Sequence, residues 1–176
     1  MNFSASTAYN VGLQIINAAN GDVNRELVIA LFTQPNLGYN LAKNITTSEV
    51  PVNANTKYVR KPVSLTLHNQ LEMEEYFSGD DYHGMPATVQ NLKGPNGESA
   101  NMLSGYAFIY NNAEVIWNDP PTVDWGTVHS FALINQHNVD PLLSEVLMWG
   151  NLETSKLVMA GDIFRFPIDG LRVLII

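Results

Sequence analysis

The amino-acid sequence predicts an all-β chain, an antiparallel β-sandwich or jelly roll with a short N-terminal helix. Beyond residue 22, apolar residues fall in short runs or in alternation, the signature of strands. Turn-forming Asn, Asp, Gly and Pro residues separate these runs at spacings of roughly 8–12 residues, as in sandwiches and jelly rolls. Helical spacing is confined to the segment 1–22.

In that segment, Tyr9, Leu13 and Ile16 recur at intervals of four and three, with Ser6 or Thr7 as a cap and Asn20-Gly21 as the stop. The apolar stripe is narrow, so the helix is expected to pack on something rather than stand alone. Leu27 to Phe32 is apolar on both faces, as in a buried strand. Pro35-Asn36-Leu37-Gly38 ends it. Val63, Leu65 and Leu67 alternate with Ser64, Thr66 and His68, predicting a strand with one wet face, and Pro62 before it signals a strand start or an edge. Residues 69–100 read as a long surface excursion, with one short strand at Thr88 to Leu92 and a turn at Pro95-Asn96-Gly97.

Strands are predicted again at Gly105 to Tyr110, Glu114 to Trp117, Thr127 to Ile134, Glu145 to Trp149 and Lys156 to Met159. Asn118-Asp119-Pro120-Pro121 interrupts them, because proline has no amide proton to give a ladder. Ala160-Gly161-Asp162 is a tight turn before a strand holding Ile163, Phe164 and Phe166. Asp169-Gly170 signals a hairpin into a last strand, Leu171 to Ile176, whose apolar end is expected to be tied into a sheet or covered by a partner. Neither repeat nor Gly/Ser linker divides the 176 residues, so a single domain over 1–176 is expected.

Composition narrows function. The formal charge of -8 and pI of about 4.8 argue against binding to nucleic acid or to an anionic membrane. Arg60 and Lys61 are the one adjacent basic pair. Apolar residues make up 45% and charged residues only 15%, a balance suited to burial against protein neighbours. With 0 Cys, disulfides, thiolate catalysis and Cys-based zinc sites are excluded. The N-terminus shows no basic stretch leading into an apolar core, so synthesis in the cytoplasm without a signal peptide is expected.

Val123-Asp124-Trp125-Gly126-Thr127-Val128-His129-Ser130-Phe131-Ala132-Leu133-Ile134 resembles the strand motif of small phage tail fibre proteins. Gly150-Asn151-Leu152 and Lys156 to Phe166, through Ala160-Gly161-Asp162, resemble the segments that follow it there. Ala30-Leu31-Phe32-Thr33 after the helix, Ser48-Glu49-Val50, and Tyr58-Val59-Arg60-Lys61-Pro62-Val63 extend the likeness toward the front. Residues 69–112 depart from it as a longer middle loop or insertion. The resemblance implies a non-enzymatic structural protein of a tailed-phage virion. It would be made in the host cytoplasm and would contact other copies of itself and other virion proteins, such as major capsid or tail proteins. A repeat-free chain of this size favours capsid decoration, as a cement protein, over a fibre, fibre-adaptor or tail component; host-receptor or carbohydrate binding is a further alternative.

No catalytic, cofactor-binding or metal residue is assigned. Trp125 reads as a buried corner anchor, with Gly126 permitting the bend. Asp80, Asp81, His83 and Glu72, Glu74, Glu75 read as a solvated acidic loop without calcium-loop spacing, and the glutamates lack a scaffold for paired-carboxylate chemistry. His68, His83, His129 and His137 are scattered, and His129 and Ser130 point to opposite faces of one strand. Asn44-Ile45-Thr46 is a chance glycosylation sequon. Trp117, Trp149 and Tyr82 would support a carbohydrate-binding module if exposed in a groove.

Overall fold

The computed structural model describes residues 5–35, 48–68 and 107–175. The predicted Thr88–Leu92 strand, the turns at Pro35–Gly38 (beyond Pro35) and Pro95–Gly97, the acidic residues from Glu72 to Asp81, Tyr82, His83 and the Asn44 sequon lie outside them. The chain divides into two compact units, one of Asn17–Leu65 and Asn111–Leu171, the other of Met1–Ile16, Thr66–Tyr110 and Arg172–Ile176.

The expected all-β character with one short helix is what the structure shows. Helix α1 spans Ala5–Ile16. Strands follow at β1 (Arg25–Phe32), β2 (Lys61–Pro62), β3 (Leu65–His68), β4 (Ala107–Asn111), β5 (Val115–Trp117), β6 (Gly126–His137), β7 (Glu145–Val158), β8 (Phe164–Phe166) and β9 (Arg172–Ile175).

The larger unit is built on a four-stranded sheet ordered β2-β1-β6-β7, with every pairing antiparallel. The apolar run predicted as a buried strand is β1, and it is enclosed. Along β6 it pairs without interruption from Arg25↔His137 to Phe32↔Ser130. Val28, Ala30 and Phe32 form one buried face with Ala132, Ile134 and the partly buried Val146. Leu27, Ile29 and Leu31 alternate onto the other face beside Phe131 and Leu133, all buried. Each fully buried aliphatic side chain here stabilises by about 1.5–3 kcal/mol.

A two-stranded sheet, β5-β8, lies against the face that carries Phe131. Trp117 pairs with Phe164 and Val115 with Phe166 in its register. The Phe131 and Phe166 rings are 6.2 Å apart, which joins the two sheets. Trp117, Phe164 and Phe166 interlock edge to face at 5.4–6.3 Å, the geometry that ring quadrupoles favour.

The smaller unit holds a sheet ordered β3-β4-β9. Helix α1 packs in this unit, and it comes close to β3 through Gly12. A Cβ there would stand 2.5 Å from Leu67 Cδ1, so the expected packing partner of the narrow stripe includes this strand. The C-terminal strand is tied in as expected, through Ala107↔Ile175 to Tyr110↔Arg172.

Two local expectations change. The separate strands at 145–149 and 156–159 are one strand, β7. Gly150-Asn151 carries turn propensity, but the β6 ladder runs past it, and the extra residues between Asn151 and Lys156 are absorbed in an irregularity opposite Val128 and Ser130. Asp169-Gly170 is a turn but not a hairpin. Its flanking strands join different sheets, β8 with β5 and β9 with β4. Asn111 shapes this turn, its Nδ2 donating to Pro167 O at 2.7 Å and its Oδ1 accepting from Leu171 N at 2.8 Å.

Truncating Ile29 to Ala opens a cavity where neighbours cannot collapse. It should cost about 2–5 kcal/mol, read as a lower denaturant midpoint with an unchanged slope.

Candidate functional site

One polar cluster lies inside the larger unit. Beyond β2, the outer edge of β1 is completed by residues 48–50, through Thr33 N–H to Ser48 O at 2.8 Å and Val50 N–H to Leu31 O at 3.0 Å. The remaining donor, Leu31 N–H, goes to the Tyr58 hydroxyl at 2.8 Å. That hydroxyl in turn donates to Glu49 Oε1 at 3.1 Å. Arg60 grips the same carboxylate with two parallel bonds, Nε to Oε1 and Nη2 to Oε2, both 2.8 Å. Arg60 Nη1 also reaches Gln136 Oε1 on β6 at 3.3 Å. The Glu49 side chain is only 7% exposed, so removing its partner would strand a charge.

Burial pushes the Tyr58 hydroxyl well above its ordinary 10.0, and the Glu49 charge acts in the same direction. The Glu49 hydrogen bonds raise the Arg60 guanidinium, which stays charged. The cluster buries the Tyr58 hydroxyl and the Glu49 carboxylate together. Its donors and acceptors are consumed in holding β1, so it is structural.

The aromatics predicted as candidates divide clearly. Trp125 is buried, its Nε1 donating to Thr56 O at 2.7 Å, and Gly126 takes the left-handed φ of 84° that bends the chain into β6. Trp117 is buried with Nε1 on Val59 O, so it offers no stacking face. Trp149 is 43% exposed on β7. Ser130 is buried with its hydroxyl on Gln34 O at 2.7 Å, so it forms no pair with His129. Among the described residues no group of His, Cys, Asp and Glu could hold a metal ion. The side chain of His68 is outside the description.

One outward-facing feature is an apolar tip at one end of the larger sheet. The turn before β1 meets the β6–β7 connection there, through Asn138 N–H to Asn24 O at 2.7 Å. Val23 is 96%, Val139 74%, Leu142 92% and Leu143 49% exposed. The loop that carries them is internally fixed. Asp140 Oδ1 accepts Leu142 N–H at 3.0 Å and caps the 3-10 turn Pro141–Leu143. His137 Nδ1 accepts Asp140 N–H at 2.9 Å, and Ser144 Oγ accepts His137 N–H at 3.0 Å. Acidic Asp140 and exposed Glu145 flank the leucines, while the nearby Asp22 is paired with Arg25. Sequence reading missed this tip, since Asn138 to Ser144 has no periodicity; the adjacent Leu142-Leu143 after a capping Asp-Pro was the available signal.

The family model of the podophage GP4 fiber I protein gp80 matches residues 25–174. The chain belongs to this family. Its matched span opens at the first residue of β1 and closes within β9, so it takes in the enclosed strand, the Glu49–Tyr58–Arg60 cluster and, of the tip, Val139, Leu142 and Leu143. Membership in the fiber I family makes the chain a structural component of the phage virion, as the resemblance of Val123 to Phe166 implied. No curated protein and no solved structure matches it.

Three variants test the cluster. Arg60→Ala should destabilise by about 3–5 kcal/mol, more than the joint replacement of Glu49 by Leu and Arg60 by Met. Tyr58→Phe should cost about 1–3 kcal/mol at neutral pH, because Leu31 N–H loses its acceptor. The fold holds the neutral phenol, so this contribution is complete below pH 10.0 and lost as pH rises through the higher folded value. The wild-type advantage over Tyr58→Phe should therefore shrink in alkaline unfolding titrations.

Proposed function

We propose that this chain is a non-enzymatic subunit of the phage fibre, held in the particle by protein contacts at its apolar tip. The carrying observation is the presentation of Leu142 and Val139 in water by a loop whose own hydrogen bonds fix it. Folding gains nothing from burying them here, and a pre-ordered loop loses little freedom on docking. A partner with an apolar cleft and a basic rim fits Asp140 and Glu145; a second copy of a chain with net charge -8 would bring like charge to like. Copies of the chain would associate through other surfaces.

Family membership supports the fibre over the capsid lattice, although the absence of repeats favours decoration. Among the described residues, carbohydrate recognition has the half-exposed ring of Trp149 in its support, after the burial of Trp117. Catalysis finds no support in the buried Tyr58–Glu49 pair, whose groups are engaged with Leu31 N–H and Arg60.

The test uses particles assembled without this chain and then incubated with purified protein. Wild type should co-sediment, and Leu142→Asp with Leu143→Asp should weaken the association by at least about tenfold at unchanged thermal stability. Equal retention of the variant would sink the tip as the docking surface. In reconstructed particles, added density should sit on the fibres, and density on the capsid lattice would replace this reading with decoration.

A further inference from the structure

Asn20 and Gly21 occupy the turn that leads from α1 to β1. Asn20 N–H donates to Asn17 O at 2.9 Å, and Asn20 Nδ2 donates to Asn17 Oδ1 at 2.6 Å. Both Asn20 and Gly21 are exposed. Gly21 has φ of 85°, and a Cβ at this position would meet nothing within 4 Å. Its amide nitrogen has no hydrogen-bond partner among the described residues.

We propose that Asn20 is a site of spontaneous covalent modification, converted by water to aspartate and isoaspartate. The Gly21 nitrogen attacks Asn20 Cγ. A bond forms between these atoms, the Cγ–Nδ2 bond breaks, and ammonia leaves with the proton that the Gly21 amide gives up. Water then opens the resulting five-membered imide. Cleavage at the Cγ–N bond restores an ordinary backbone with an aspartate side chain. Cleavage at the bond between the Asn20 main-chain carbonyl carbon and nitrogen leaves isoaspartate, with one methylene added to the main chain. No oxidant or second protein is needed, since the sum is one water consumed and one ammonia released.

The surroundings favour this reaction for physical reasons. Glycine lacks the Cβ that would hinder approach, and it tolerates the dihedral changes that ring closure requires. The attacking nitrogen is unengaged, and both residues are exposed to solvent that supplies base and water. A second pair, Asp169-Gly170, supports the same ring chemistry with loss of water but sits in opposite circumstances. Gly170 N–H donates to Pro167 O at 2.9 Å, and a Cβ on Gly170 would lie 2.7 Å from Pro167 Cδ. Its nitrogen is engaged in a crowded turn and should stay unreactive.

Modification at Asn20 removes the donor that binds Asn17 Oδ1 and places a new negative charge two residues before Asp22. Each converted copy becomes one charge more acidic than the -8 of the fresh chain. The isoaspartyl form also lengthens the connection into β1.

Purified full-length protein, aged in warm, mildly alkaline buffer, tests this by peptide mapping and isoaspartate-specific enzymatic methylation. The peptide with Asn20 should lose its carboxamide steadily, while the peptide with Asp169 stays free of isoaspartate. Asn20→Gln should block conversion there, because its longer side chain does not form the five-membered ring. Gly21→Ala should slow it severalfold. An intact Asn20 after the Asn96-Gly97 peptide has converted in the same sample would overturn the proposal. Conversion of Asp169 as fast as Asn20 would overturn the structural account of selectivity.

Discussion

A strand that is apolar on both faces must be covered on both faces and hydrogen-bonded along both edges, and β1 imposes that demand on the larger unit. Unpaired backbone groups beside buried Ile29, Leu31 and Phe32 would each forfeit a hydrogen bond to water. The inner edge is satisfied by β6 over the full length of β1. The outer edge is harder, because β2 is only two residues long and ends on Pro62, which has no donor to give. The remaining groups are filled piecewise, by Val63 N–H on Leu27 O, Val50 N–H on Leu31 O, Ser48 O on Thr33 N–H, and a side chain, the Tyr58 hydroxyl, on Leu31 N–H.

Tyr58 thereby stands in the place of a missing strand residue, and its position explains the ion pair beside it. A phenol that accepts from a backbone amide still has a proton to place, and Glu49 takes it. Glu49 is then a buried carboxylate that needs a counter-charge, which Arg60 supplies through a fork matched to both oxygens. The same ring stacks on Trp117 at 6.3 Å and meets Trp125 edge to face at 5.5 Å. The edge of β1 and the aromatic layer under the small sheet are thus held by one residue.

Much of this was legible in the amino-acid order, but unequally. The double-faced run at Leu27 to Phe32 and the glycine bend after Trp125 are local properties, and local patterns read them directly. Ser48-Glu49-Val50 and Tyr58-Val59-Arg60 stood out through resemblance alone. Their roles depend on partners as far apart as Arg60 and Gln136, and no spacing rule reveals such a meeting before the register is known. The split prediction for β7 failed for a related reason. Gly150-Asn151 has the chemistry of a turn, yet pairing with Phe131 and Ser130 overrides it. At Asp169-Gly170 the turn itself was local and correct, while the sheet joined by each flanking strand was not local.

The tip and the enclosed strand obey opposite logic. Apolar residues in β1 are fixed by the fold, because exposing them would cost the sheet its core. Leu142 and Val139 contribute no comparable burial, yet Asp140, His137 and Ser144 spend their hydrogen-bonding groups on holding that loop in one shape. A surface loop selected only for solubility has no need of such internal ordering around exposed leucines. Ordering matters when a surface must meet another surface in one orientation, as the proposed docking at the tip requires.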